Sequence, residues 1–127
     1  MDMNVLNRQI SDALAAHEGW KQRLGDAVRT GALPKPAREI KRDDQCAFGK
    51  WLHGMRLDPK VSGQSGYKAV VEAHAAFHRC AGGVAEMVET GRKDEAGAVL
   101  KGPEFNQATQ HLKMEMSLWR QQVERQG

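Results

Sequence analysis

No apolar run in this 127-residue chain approaches the ~20 residues that a bilayer-spanning helix needs, so no membrane segment is expected. The opening residues Met1-Asp2-Met3-Asn4-Val5 lack a positive region followed by an apolar one. No secretory signal is read there, and the expected location is the cytoplasm. Cysteine is scarce: there are two, Cys46 and Cys80, and no CxxC pair. That excludes a cysteine-rich structural zinc motif, and in a reducing compartment it argues against a disulfide. Charge of one sign is lacking too, with 19 basic residues against 16 acidic and a net charge of +3. The densest basic stretch, Lys35 to Arg42, contains Glu39 and runs straight into Asp43 and Asp44. There is no sustained basic face, so the stretch reads as a solvated linker beside an acidic helix start and no nucleic-acid partner is expected. Strand-like alternation of useful length is also missing, which leaves an all-α chain.

What is present is apolar spacing at three and four residues. Leu6, Ile10, Ala13, Leu14, His17, Trp20, Leu24 and Val28 form one stripe of an amphipathic helix, with Asn4 as its expected N-cap. Thr30 to Pro36, with two prolines, stops that helix and reads as a loop. A short helix is expected to open at Asp43 or Asp44, whose carboxylates suit a helix start, and to end near His53-Gly54. It carries Cys46, Phe48, Trp51 and Leu52. Asp58 to Gly66 reads as a turn-rich loop. A long helix is expected from about Tyr67 to Thr90, stopped by Gly91. Lys93 to about Arg125 reads as helical again, interrupted at Gly102-Pro103. The length suits one domain covering residues 1–127, an antiparallel four-helix bundle with a short additional helix carrying Cys46.

Chemistry concentrates in three places. His74 and His78 stand four apart, one turn along the same helical face, which lets two imidazoles reach one metal ion. His17 lies on the apolar stripe of the first helix, where an unpartnered imidazole would be costly to desolvate. Cys46, at the start of the short helix, is the fourth donor, and a helix N-terminus favours its thiolate. Three imidazoles and a thiolate suit tetrahedral Zn²⁺, whereas calcium and magnesium prefer oxygen ligands. Residues 75–77 are Ala-Ala-Phe, so the general base of an HExxH metalloprotease is missing. His53 and His111 are expected at the surface or its boundary. Cys80, about 200° round the helix from His78, is expected to point away from the site. Asp43 or Asp44 is a candidate to orient a ligating histidine, and Trp51 a candidate to shield the metal.

The runs Ala16-His17-Glu18-Gly19-Trp20, Cys46-Ala47-Phe48-Gly49-Lys50-Trp51-Leu52 and His74-Ala75-Ala76-Phe77-His78 together resemble the chemoreceptor zinc-binding (CZB) domain. This family occurs on bacterial chemoreceptors and diguanylate cyclases. The resemblance implies one zinc held by His17, Cys46, His74 and His78 within a four-helix bundle, and a homodimer. It also implies signalling rather than catalysis, with zinc occupancy or oxidation of the cysteine by agents such as hypochlorous acid altering a linked output. The chain has no room for a fused signalling or cyclase domain, so its output is expected to act through a partner or a domain from which it was excised. Two other readings of the same donors are a zinc-dependent hydrolase with an open three-histidine site and a purely structural zinc.

Overall fold

The computed structural model describes residues 3–126; Met1, Asp2 and Gly127 lie outside the described residues. Every regular element among them is helical. In chain order these are α1 (Met3–Glu18), α2 (Trp20–Thr30), α3 (Ala37–Lys41), α4 (Ala47–Met55), α5 (Pro59–Ser62), α6 (Ser65–Glu89), α7 (Lys93–Lys101) and α8 (Pro103–Gln126). No described helix is long and apolar enough to cross a membrane.

The single N-terminal helix expected from the stripe is divided at Gly19 into α1 and α2. Gly19 keeps helical dihedrals (φ −71°, ψ −17°), so the stripe continues across the break, and Leu6, Ile10, Ala13, His17, Trp20 and Leu24 are all buried. Asn4 lies inside α1 rather than capping it. The Gly91 stop stands. The Gly91 N–H donates to the Val88 carbonyl and the Arg92 N–H to that of Met87, a Schellman closure with Gly91 at φ 76°. Pro103 begins α8 as a new helix, since a proline at the first helical position gives up only an N–H that has no intrahelical partner.

Two segments read as loops contain helices. Residues 37–41 form α3, which lies along α6 and buries Ala37 and Ile40. Its Ala37 N–H donates to Glu89 (3.0 Å), and Lys41 pairs with Glu86 (3.0 Å). Charge patterning suggested a solvated linker here because the two buried residues are outnumbered by Arg38, Glu39 and Lys41. Residues 59–62 form α5, capped by the Asp58 carboxylate on the Lys60 N–H and anchored by buried Val61.

The long helix α6 is the spine of the molecule, packed by α8, α3, α7 and α2. Trp119, Phe105, Leu112 and Met116 of α8 meet Phe77, Val70 and Val84 of α6 in a core with almost no solvent exposure. Two polar groups entering that core find partners. Tyr67 donates to the Leu52 carbonyl at 2.6 Å, tying α4 to α6, and the Trp119 indole donates to Gln64 at 2.8 Å. Into this otherwise apolar interior the chain places three histidines, 3%, 1% and 2% exposed at positions 17, 74 and 78. Burying three imidazoles costs free energy that apolar residues would not.

Candidate metal centre

His74 and His78 project from one face of α6, as their four-residue spacing requires. His17 arrives from the last turn of α1, and Cys46 from the residue preceding α4. The structure thus brings together His17, Cys46, His74 and His78, whose ligand atoms all lie within 4.8 Å of one another. His74 Nε2 is 3.1 Å from His17 Nε2 and 3.1 Å from His78 Nε2. Cys46 Sγ is 3.4 Å from His74 Nε2 and 3.6 Å from His78 Nε2. A tetrahedron with ordinary zinc–nitrogen and zinc–sulfur bonds has edges of about 3.3 Å between nitrogens and about 3.6 Å from nitrogen to sulfur. Four of the six edges, those from His74 to the other three donors and from Cys46 to His78, fall within a few tenths of an ångström of those values, and the two from His17 to Cys46 and His78 lie within 4.8 Å.

Two backbone carbonyls fix which nitrogens face inward. His17 Nδ1 lies 2.7 Å from the Ala13 carbonyl, and His78 Nδ1 lies 2.8 Å from the Ile40 carbonyl. A carbonyl oxygen only accepts, so both Nδ1 atoms carry the proton and both Nε2 atoms present a lone pair. His74 Nε2 carries at most one proton to share between these two lone pairs, so the three nitrogens cannot all be well paired, and a cation at their focus relieves that mismatch. This arrangement, with the outer ring nitrogen donating to a carbonyl, is the one that orients metal-binding imidazoles and raises their basicity.

Electrostatics favour the neutral imidazole that a metal requires. Burial lowers the His17 pKa to about 4, against the raising effect of the Ala13 hydrogen bond. Burial, followed by the neighbouring His78 and His17, lowers that of His74 to about 2. Burial also lowers His78. Cys46 departs from expectation. Burial pushes its thiol up, and the backbone N–H groups of Gly49 and Phe48 offset that only in part. The helix start alone therefore does not make it a thiolate; a cation within bonding distance would.

Cys46, rather than Asp43 or Asp44, is the N-cap of α4, its sulfur accepting the Gly49 N–H at 3.3 Å. The glycine in the Cys46–Leu52 run has a specific cause. A Cβ at position 49 would sit 1.7 Å from the Asp43 carbonyl oxygen, so only glycine lets the 43–46 turn fold back over the helix start. Asp43 meets His53 (3.3 Å) and Asp44 pairs with Arg42, so neither carboxylate orients a histidine of the cluster. His53 is half-buried beside Asp43, and exposed His111 faces Glu115 at 3.6 Å; both stand outside the cluster. Cys80 is likewise outside it, partly buried, with burial and the nearby Glu104 holding its thiol above the usual range.

Aromatic rings close the site. Phe48 meets His74 edge-on at 5.3 Å, and Phe77 meets His17 at 5.2 Å and His78 at 5.5 Å. Trp51 stacks on the outer face of Phe48 and continues to Trp119, one ring further from the cluster than expected. The functional groups that sequence reading missed are the Ala13 and Ile40 carbonyls and the Phe48 ring. The first was open to inference, since position 13 lies one helical turn before His17. The second had no sequence signal, because residue 40 is remote in the chain from His78.

No curated protein and no solved structure matches the chain. A family model does, that of the chemoreceptor zinc-binding domain, over residues 17–85. The matched span begins at His17 and takes in Cys46, His74 and His78. The family binds zinc, and the donor set assembled here suits that ion in both chemistry and spacing. The chain belongs to the chemoreceptor zinc-binding (CZB) domain family.

Proposed function

We propose that this protein is a zinc-binding regulatory domain of bacterial signalling, with His17, Cys46, His74 and His78 as the four ligands of one zinc. The observation that carries this reading is the convergence of four donor atoms within 4.8 Å, with two of the imidazoles oriented by carbonyls. Residues 1–127 act as one domain, an antiparallel four-helix bundle in which α3, α4 and α5 are short additions. The domain forms a homodimer in the cytoplasm and acts through a partner protein or a fused output domain, in chemotaxis or cyclic-di-GMP control.

Its signal is zinc availability or oxidation of Cys46. The thiolate is the one ligand readily oxidised. Attack on hypochlorous acid transfers two electrons from sulfur, releases chloride and leaves a neutral sulfenic acid whose hydroxyl comes from the oxidant. That sulfur is a poor ligand, so oxidation weakens the hold on zinc and loosens the tie between α4 and α6. Catalysis is not proposed. Four protein donors fill a tetrahedral site, whereas a catalytic zinc keeps one position open, and residues 75–77 supply no general base.

Metal analysis tests the reading. Protein purified without added metal, or titrated with zinc, is expected to bind one zinc per chain. Cys46→Ser and His74→Ala are expected to lower the affinity by at least about tenfold. A chain that takes up no zinc on titration overturns the proposal.

A further inference from the structure

We propose that Gly82 is a positioning residue for the zinc site, acting through α3 and the Ile40 carbonyl on His78. The inference rests on His78 being a zinc ligand, and assigns to α3 the task of orienting it.

The geometry is local and specific. His78 and Gly82 lie one turn apart on α6, on the face that receives α3. A Cβ at position 82 would stand 2.5 Å from Lys41 Cβ and 2.6 Å from Lys41 Cα, distances that real Cβ atoms do not show. The absent methyl therefore sets how closely α3 approaches α6. Lys41 Cα is joined through one peptide unit to the Ile40 carbonyl, which holds His78 Nδ1 at 2.8 Å. Restoring ordinary van der Waals contact at position 82 requires α3 to retreat by about 1 Å, which takes that oxygen beyond hydrogen-bond reach.

The sequence of α3 fits the same purpose. A five-residue helix leaves its last carbonyls without intrahelical partners, so the Ile40 oxygen is available to an outside donor. The helix is secured at both ends by the carboxylates of Glu89 and Glu86, and between them by buried Ala37 and Ile40. The segment read from sequence as a solvated linker is thus a clasp whose carbonyl selects the His78 tautomer.

Zinc affinity, measured by competition against a chelator, tests this with four proteins. The parent and His78→Ala establish the underlying reading: no binding by the parent, or equal binding by His78→Ala, overturns the ligand assignment itself. Gly82→Ala is expected to bind zinc about 10–100-fold more weakly, the usual cost of losing a group that orients a ligand. The Nδ1–H signal of His78 in proton NMR, protected from exchange in the zinc-loaded parent, is expected to lose that protection. Leu112→Ala on α8 destabilises the core away from α3 and serves as the control. Unchanged affinity in Gly82→Ala, retained Nδ1–H protection, or an equal loss in Leu112→Ala at matched stability overturns the proposal. If Gly82→Ala does not fold, Glu89→Ala answers the same question by untying the start of α3 without adding an atom. A several-fold loss of affinity is expected there, and unchanged affinity overturns the proposal.

Discussion

At the scale of single residues, the carbonyls of Ala13 and Ile40 orient the histidines of the site. Each accepts the Nδ1 proton of a histidine and turns its Nε2 lone pair into the cluster. The same burial makes these histidines sensitive to acid. His17 is lowered to about 4 and His74 to about 2, while in the unfolded chain both titrate near 6.5. The folded state therefore binds fewer protons than the unfolded one. The stability of the metal-free protein is fully present above pH 6.5 and is lost as pH falls toward 4, each unit of pKa difference being worth about 1.4 kcal/mol. Denaturant unfolding of the metal-free protein at a series of pH values checks this, and a midpoint indifferent to pH between those limits would contradict it. Phe48 supplies a second prediction. Its ring is 4% exposed and stands edge-on to His74. Phe48→Ala is expected to cost about 3–5 kcal/mol of folding stability, read from the shift in denaturant midpoint.

Among the helices that carry or border the cluster residues, α4 is shorter than α1 and α6. It spans nine residues, of which Phe48, Gly49 and Leu52 are buried, and the Tyr67 hydroxyl on the Leu52 carbonyl ties its far end to α6. Its near end is held through Cys46, whose sulfur both caps the helix and completes the cluster of candidate donors. Short elements with few buried contacts open locally at low cost. Zinc bound at Cys46 is therefore expected to raise the hydrogen-exchange protection of residues 43–52. Cys46→Ala in the presence of zinc is expected to abolish that increase, and equal protection in both proteins would show that α4 is not the mobile element. Gly49→Ala is expected to reach the same end by a different route. Its Cβ would strike the Asp43 carbonyl, expel the 43–46 turn and withdraw the sulfur, and a zinc titration reads the loss.

For the whole molecule, the question is whether zinc holds the fold or informs it. The core contributed by α6 and α8, with Trp119, Phe77, Phe105, Leu112 and Met116 almost wholly buried, adjoins the histidine cluster at Phe77 and extends beyond it along both helices. The metal-free protein is accordingly expected to remain folded, with a melting temperature below that of the zinc form by the amount mass action dictates. Chelation followed by circular dichroism separates the possibilities. Retained helicity with a lowered melting temperature fits a regulatory zinc, and collapse to an unfolded chain would assign it a structural one.

Periodicity and spacing determined much of this in advance. The apolar stripes of α1, α2, α6 and α8 are readable because burial repeats every three to four residues, and the stops at Gly91 and Pro103 because glycine enters the left-handed turn without strain while proline cannot continue a helix. The candidate donor cluster was legible for the same reason: His17, His74 and His78 replace apolar residues on buried stripes, and Cys46 sits in a run that resembles the family. Tertiary structure decided what short segments do. Five residues of α3 cannot display a period, and their two buried side chains are masked by charged neighbours. Only packing against α6 shows that Ile40 is buried and that its carbonyl meets His78. The N-cap of α4 and the raised Cys46 thiol were equally out of reach of sequence. Desolvation and close approach depend on what the rest of the chain brings alongside, and no local pattern records them.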